Sequence, residues 1–175
     1  MERVEVIMVD THDNDLGVME KMEAHEKGVL HRAFSIFIFN SNGEMLLQRR
    51  ALSKYHSPGL WTNTCCSHPY PGESNELAAS RRLMEEMGMS CVLTKAFDFI
   101  YKAHLDRDLV EHEFDHVFFG TSDASPVINE SEVSEWKWMR VYDIHIDVQL
   151  NPSAYTEWFK IALPEVMNQL KLKLS

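Results

Sequence analysis

The chain has little of what would staple a small secreted domain or tether one to a membrane. Its 175 residues include only three cysteines, Cys65, Cys66 and Cys91. An odd count with two adjacent members is a poor disulfide framework and points to a reducing compartment. Glycine and proline are also scarce, at seven and six, which excludes collagen and Pro/Gly-rich disorder. No apolar stretch approaches the ~18–20 residues that span a bilayer. The opening MERVEVIMVDTHD lacks a basic segment followed by an apolar one, so it does not read as a secretory signal. Positive charge is in deficit: 17 Lys and Arg stand against 27 Asp and Glu, a formal net charge of −10. Such a chain has no long-range attraction for nucleic acid or an anionic membrane. An anionic ligand would need a local basic cluster, a metal, or both. The expectation is a cytoplasmic protein.

Hydrophobic residues make up 45% and charged residues 25%, ordinary values for a globular chain. No repeat or linker divides it, so residues 1–175 read as one domain. Val4–Val9 reads as a strand, followed by a polar turn at Thr11–Gly17. Ala33–Phe39 and Met45–Arg49 form a hairpin about Asn40-Ser-Asn-Gly43. Trp61–Cys66, Val92–Tyr101, Glu111–Gly120 and Glu135–Arg140 read as further strands. Ser74 predicts the N-cap of a helix running to about Met87, with Gly88 as its stop. Helical spacing puts Leu77, Ser80, Met84 and Met87 on a largely apolar stripe, opposite Asn75, Ala79, Arg82 and Glu86. Ser153–Leu172 reads as an amphipathic helix that Pro164 kinks or breaks. Strands around a central helix imply a mixed α+β or α/β sandwich.

Four constellations carry chemistry. In NTCCSHP (Asn63–Pro69), Cys66 and His68 lie two apart and share a face of an extended segment, with Cys65 on the other. A thiol there can be a general acid or nucleophile, and the histidine a metal ligand; a buried structural pair is the competing reading. In VEHEFDH (Val110–His116), alternation puts Glu111, Glu113 and Asp115 on one face. Carboxylates so close repel unless a cation or solvent separates them, so the alternatives are a metal site and a solvated edge strand. His25 and His31 flank a short polar turn. With His68, Glu111 and Glu113 they make a nitrogen and oxygen set that suits Mn²⁺, Zn²⁺ or Fe²⁺ better than Ca²⁺. Spacing alone leaves open whether the five converge. Finally, Arg49, Arg50 and Lys54, joined by Lys21 and Arg82, form a candidate phosphate clamp or ordinary surface charge.

Ser67–Met89, SHPYPGESNELAASRRLMEEMGM, resembles the Nudix box G-x5-E-x7-R-E-U-x-E-E-x-G-U, where U is bulky and aliphatic. Glu73, Arg81, Leu83, Glu85, Glu86, Gly88 and Met89 match. Ser67 replaces the first Gly and Arg82 the first Glu of R-E-U, departures that count against ordinary Nudix hydrolysis. Nearly the whole chain is similar to the type 1 isopentenyl-diphosphate Δ-isomerases, a Nudix-fold family. The landmarks are the His25 and His31 region, Arg49–Lys54, Trp61–Pro69, Gly72–Gly88, Val110–Phe114 and Trp158, in order.

This resemblance implies an α/β/α sandwich with a mixed central sheet, and conversion of isopentenyl diphosphate to dimethylallyl diphosphate. It implies that His25, His31, His68, Glu111 and Glu113 hold one divalent metal, Mn²⁺ or Zn²⁺. Glu86 would help bind a Mg²⁺ that also contacts the diphosphate. Lys21, Arg50, Lys54 and Arg82 would contact the diphosphate itself. Cys66 and Glu113 would transfer protons, Tyr101 would support Glu113, and Trp158 would line the hydrocarbon pocket. The partner expected is a small-molecule diphosphate, bound by a monomer or weak homodimer. The alternative is a Nudix hydrolase of a nucleotide or other diphosphate.

Overall fold

Two strands that are apolar on both faces organise the chain. The computed structural model describes residues 4–174. In chain order the elements are β1 (Glu5–Val9), β2 (Asp15–Glu20), α1 (Lys21–Lys27), β3 (His31–Phe39), β4 (Glu44–Arg50), β5 (Trp61–Thr62), β6 (Cys65–Ser67), α2 (Asn75–Met87), β7 (Leu93–His104), β8 (Val110–Thr121), β9 (Val133–Arg140), α3 (Val141–Leu150) and α4 (Glu157–Leu174). Among the described residues, nine strands join one mixed sheet. β3 and β8 pair in parallel, from His31 opposite Glu113 to Phe39 opposite Thr121. Their other partners are antiparallel: β7 beside β8, and β1, β4 and β6 beside β3.

Being central, β3 and β8 need apolar side chains on both faces. Phe34, Ile36, Ile38 and Phe118 pack with Ala79, Leu83 and Met87 of α2. Phe37, Val117 and Phe119 pack on the other face with Ile144 of α3 and Trp158, Phe159 and Leu163 of α4. The result is the expected helix–sheet–helix layering. Because side chains alternate, the face carrying Val117 and Phe119 also carries Glu111, Glu113 and Asp115. These carboxyls are 5%, 5% and 1% exposed, so the solvated-edge reading of this strand is wrong. β8 runs polar into the site and apolar into the core along one edge.

The helix caps follow the sequence. Ser74 Oγ accepts from Leu77 N at 3.3 Å, and Gly88 ends α2 in the left-handed region at φ 61°. The apolar stripe of α2 does not follow. Leu77 and Met84 are 67% and 51% exposed, whereas Ala79, Leu83, Glu86 and Met87 are buried. Small alanines let the helix lie close to the sheet, and Glu86 is drawn inward by Arg82 and Gln48.

Three elements have no counterpart in the sequence expectations: β2, which takes over the end of the supposed polar turn, α1 and α3. α1 is a seven-residue helix capped by the Glu20 side chain and closed by Gly28 at φ 63°. Its tertiary contacts outweigh its weak periodicity. Trp61–Cys66 is also not one strand. It breaks at Asn63 and Thr64, where side chains replace the ladder. Asn63 Nδ2 donates to Ile36 O and Cys65 O at 3.0 Å each. Thr64 Oγ1 accepts from Ile38 N at 3.0 Å and donates to Leu46 O at 2.7 Å. Pro164 lies inside α4 without ending it.

Candidate active site

Strand register assembles the site. His31 on β3 lies opposite Glu113 on β8, and Glu113 opposite Tyr101 on β7. Cys66 on β6 sits beside Ser35 on β3. His25 comes from α1 and His68 from just beyond β6. His68 Nε2 lies 3.0 Å from Glu113 Oε1 and 3.3 Å from His31 Nε2. One ligand atom from each of His25, His31, His68 and Glu113 lies within 4.8 Å of all the others.

Backbone carbonyls orient two of these rings. His25 Nδ1–H donates to Lys21 O at 2.7 Å, and His31 Nδ1–H to Val29 O at 2.8 Å. Each Nε2 therefore presents a lone pair to the cluster, the tautomer control typical of metal ligands. His25 Nε2 is buried with no protein partner. Burial holds His25 below the usual imidazole range and pushes His68 down to about 3. Neutral imidazoles aimed at one carboxylate fit a divalent cation.

Glu111 stands apart from this four-donor group. Its donor atom clusters with His25 and His56 instead. Tyr101 Oη approaches Glu113 Oε2 at 2.7 Å and Glu111 Oε2 at 3.0 Å. One phenolic hydrogen cannot serve both, so the pair needs a proton on Glu111 or a cation among these groups. Burial raises Glu111, and the Glu113 charge adds to it. Burial also opposes ionisation of Glu113, but the His31 and His68 rings beside it outweigh burial and hold that carboxyl well below the usual range.

Cys66 lines the same cleft. Its S–H donates to Asn63 Oδ1 at 3.0 Å. Burial, then the Asp115 charge, pushes the thiol above its ordinary range, so it is held as a proton-bearing group. Ser35 Oγ donates to Asp115 Oδ2 at 2.7 Å and stands 3.7 Å from Cys66 Sγ. Cys65 points into the α2-side core, as alternation requires.

Lys21, Arg50, Lys54, Arg82, Glu86 and Trp158 line the cleft as well. Burial and the nearby Lys54 lower Lys21 to about 8. Arg50 lies over the Trp158 ring at 5.2 Å. Arg82 pairs with Glu86 and, at 2.7 Å, with Glu85. Glu86 also accepts from Gln48 Nε2 at 3.0 Å. Arg49 turns away to Gly59 O and Glu135 and takes no part in the cleft. Sequence reasoning missed two residues. Glu132, from the segment before β9, pairs with Lys54 and lies 3.6 Å from Arg82. His56 is 4% exposed within the cleft. Its signal was its place two residues beyond the end of the basic motif Arg49–Lys54.

The NUDIX domain family model matches residues 29–159. Isopentenyl-diphosphate Delta-isomerase 2 of Aromatoleum aromaticum is 52% identical over 164 residues, covering 94% of this chain and 87% of its own length. The chain belongs to the isopentenyl-diphosphate Delta-isomerase family. The family member from Pectobacterium atrosepticum is 49% identical over 166 residues, covering 95% of this chain and 93% of its own. Among solved structures, a Deinococcus radiodurans protein superimposes with a TM-score of 0.74 at 19% identity, covering 90% of this chain and 96% of that one. A MutT protein from Methanosarcina mazei gives 0.67 at 20% identity, over 81% and 96%. Those two likenesses concern the NUDIX fold alone. The Delta-isomerase family thus supplies an activity for a site in which Arg82 replaces a box carboxylate.

Proposed function

We infer that this protein is an enzyme that isomerises isopentenyl diphosphate to dimethylallyl diphosphate. The observation that carries the reading is one cleft lined by Cys66, by Glu113 with Tyr101, by a basic cluster and by a tryptophan. Moving the double bond requires a proton on the terminal methylene carbon and removal of one from the neighbouring carbon. The intermediate is a tertiary carbocation, which water would capture. Cys66 on β6 and Glu113 on β8 approach from separate strands, so acid and base act on different sides of the substrate. Tyr101, held at 2.7 Å from Glu113, fixes that carboxyl and carries a proton within reach. The π face of Trp158 stabilises positive charge without offering a nucleophile, worth ~2 kcal/mol or more when desolvated.

Lys21, Arg50, Lys54 and Arg82 bind the diphosphate and thereby position the alkene. Glu86 would help hold a Mg²⁺, which would supply positive charge for diphosphate binding. His25, His31, His68, Glu111 and Glu113 would hold one divalent transition metal, Mn²⁺ or Zn²⁺, which would supply positive charge beside the Glu113 carboxyl. All of these groups lie within one chain, which fits a single domain acting as a monomer or weak homodimer. A cytoplasmic setting suits the mechanism, because Cys66 must remain a free thiol.

The hydrolase reading is disfavoured by Arg82, whose guanidinium neutralises Glu85 and Glu86 in the box. The test is to supply isopentenyl diphosphate in D₂O. The expected product is dimethylallyl diphosphate with deuterium in the methyl group derived from the terminal methylene, and no free phosphate. Phosphate release without isomer would overturn the assignment.

A further inference from the structure

His56 is a cleft residue that the metal, proton-transfer and diphosphate roles leave unused. Its Nε2 faces Glu111 Oε1 at 3.6 Å, too far for a hydrogen bond. Its ring stacks on His25 with centroids 6.0 Å apart and meets Trp158 edge-on at 5.7 Å. Donor atoms of His25, His56 and Glu111 lie within 4.8 Å of one another. His25 also belongs to the group with His31, His68 and Glu113. The two groups share His25, whose Nε2 is buried without a hydrogen-bond partner.

The backbone is strained to place this ring. Ser57, the next residue, adopts φ 48° although it is not glycine. Its N–H donates to Asp106 Oδ1 at 3.0 Å. Arg50 donates to His56 O at 3.0 Å and Ser57 O at 3.2 Å. Strain overdetermined in this way is characteristic of functional positions. Packing against Trp158 alone does not explain it, since an apolar side chain would fill that space without placing an imidazole nitrogen 3.6 Å from Glu111.

We propose that His56 is a further ligand of the divalent transition metal, bonding through Nε2 beside Glu111. This rests on the reading of His25, His31, His68, Glu111 and Glu113 as a metal site, and extends it to six donors. Four imidazoles and two carboxylates fill the sphere of a six-coordinate first-row ion, and they select Zn²⁺, Co²⁺ or Fe²⁺ over Mg²⁺. A sphere filled by protein leaves no position for substrate. The ion then acts on the reaction only through Glu113, and the diphosphate is held elsewhere.

The test strips wild type, His56→Ala and His56→Gln with chelator and titrates each with Co²⁺ alone, reading visible absorption and bound metal. The result expected for His56→Ala is a dissociation constant weaker by ~10–100-fold or more, on the scale of perturbed metal-site shells, with altered d–d bands. Wild-type affinity and bands in His56→Ala overturn the role of His56 and leave the metal site standing. No Co²⁺ on wild type overturns both. Anomalous scattering from Zn²⁺-loaded wild-type crystals decides the question independently of variant folding. The ion is expected at ~2.0–2.1 Å from His56 Nε2, and an ion bonded without His56 refutes the proposal.

Discussion

The two carboxylate-rich regions of this molecule are built on opposite principles. On α2 and just before its cap, Glu73, Glu85 and Glu86 are each matched by an arginine: Arg81 pairs with Glu73 at 2.8 Å, and Arg82 with both others. Along β8, Glu111, Glu113 and Asp115 are buried, and among the described residues their hydrogen-bond partners are imidazoles, a phenol and a serine hydroxyl. Carboxylates neutralised by arginine shape a helix and one wall of the cleft. Carboxylates buried among neutral groups repel one another and have displaced pKa values, which is the condition for holding a cation and moving a proton.

The largest effects are expected on β8 and its neighbour β6. Glu113→Gln and Cys66→Ala should each lower turnover by orders of magnitude in steady-state assays, since each removes a group proposed to move a proton. Cys66→Ala should keep its bound metal and Glu113→Gln should lose affinity for it, as elemental analysis would show. Cys65→Ala should keep turnover; a dead Cys65 variant beside an active Cys66 variant would invert the register of Asn63–Pro69. His68→Ala should lose bound transition metal and activity together, and full metal occupancy would break the contrast between the two regions.

Arg82→Ala tests the α2 side. Binding of an inert diphosphate analogue should weaken by ~2–5 kcal/mol, because a charge contact is lost and Glu86 is left buried without its arginine. Calorimetric affinity equal to wild type would remove Arg82 from the clamp.

The smallest effect is expected at Glu73, which caps the box far from the chemistry. Its two oxygens bond Arg81 at 2.8 Å each, and that pair holds the carboxyl below its ordinary range. A carboxyl lowered in the folded state adds stability above its unfolded pKa and loses it as pH falls through the folded one. Glu73→Gln should therefore cost about 1 kcal/mol at neutral pH, the scale of a partly exposed pair. The difference in thermal midpoint should vanish in acid while turnover is spared. A midpoint difference that persisted below pH ~3 would assign the effect to packing instead.

Much of this was legible residue by residue. Ser74 and Gly88 bracketed α2, alternation separated Cys65 from Cys66, and Glu111, Glu113 and Asp115 were read onto one face. These are local properties, decided by caps and by the period of a strand. The stripe of α2 was misread because hydrophobic period alone ignores close packing: Leu77 and Met84 face solvent while Ala79 and Glu86 face the sheet. α1 and α3 were invisible, being short elements that tertiary contact stabilises rather than intrinsic propensity.

By itself, then, the sequence determined the NUDIX framework, the candidate side chains of the cleft and the sign of each cluster. Only the tertiary structure decided their assembly. The parallel pairing of β3 with β8 brings His31 against Glu113 across 82 positions of chain, and the strained turn at Ser57 delivers His56 to Glu111. Neither is encoded in local spacing, because a register between distant strands is chosen by burial of both faces at once.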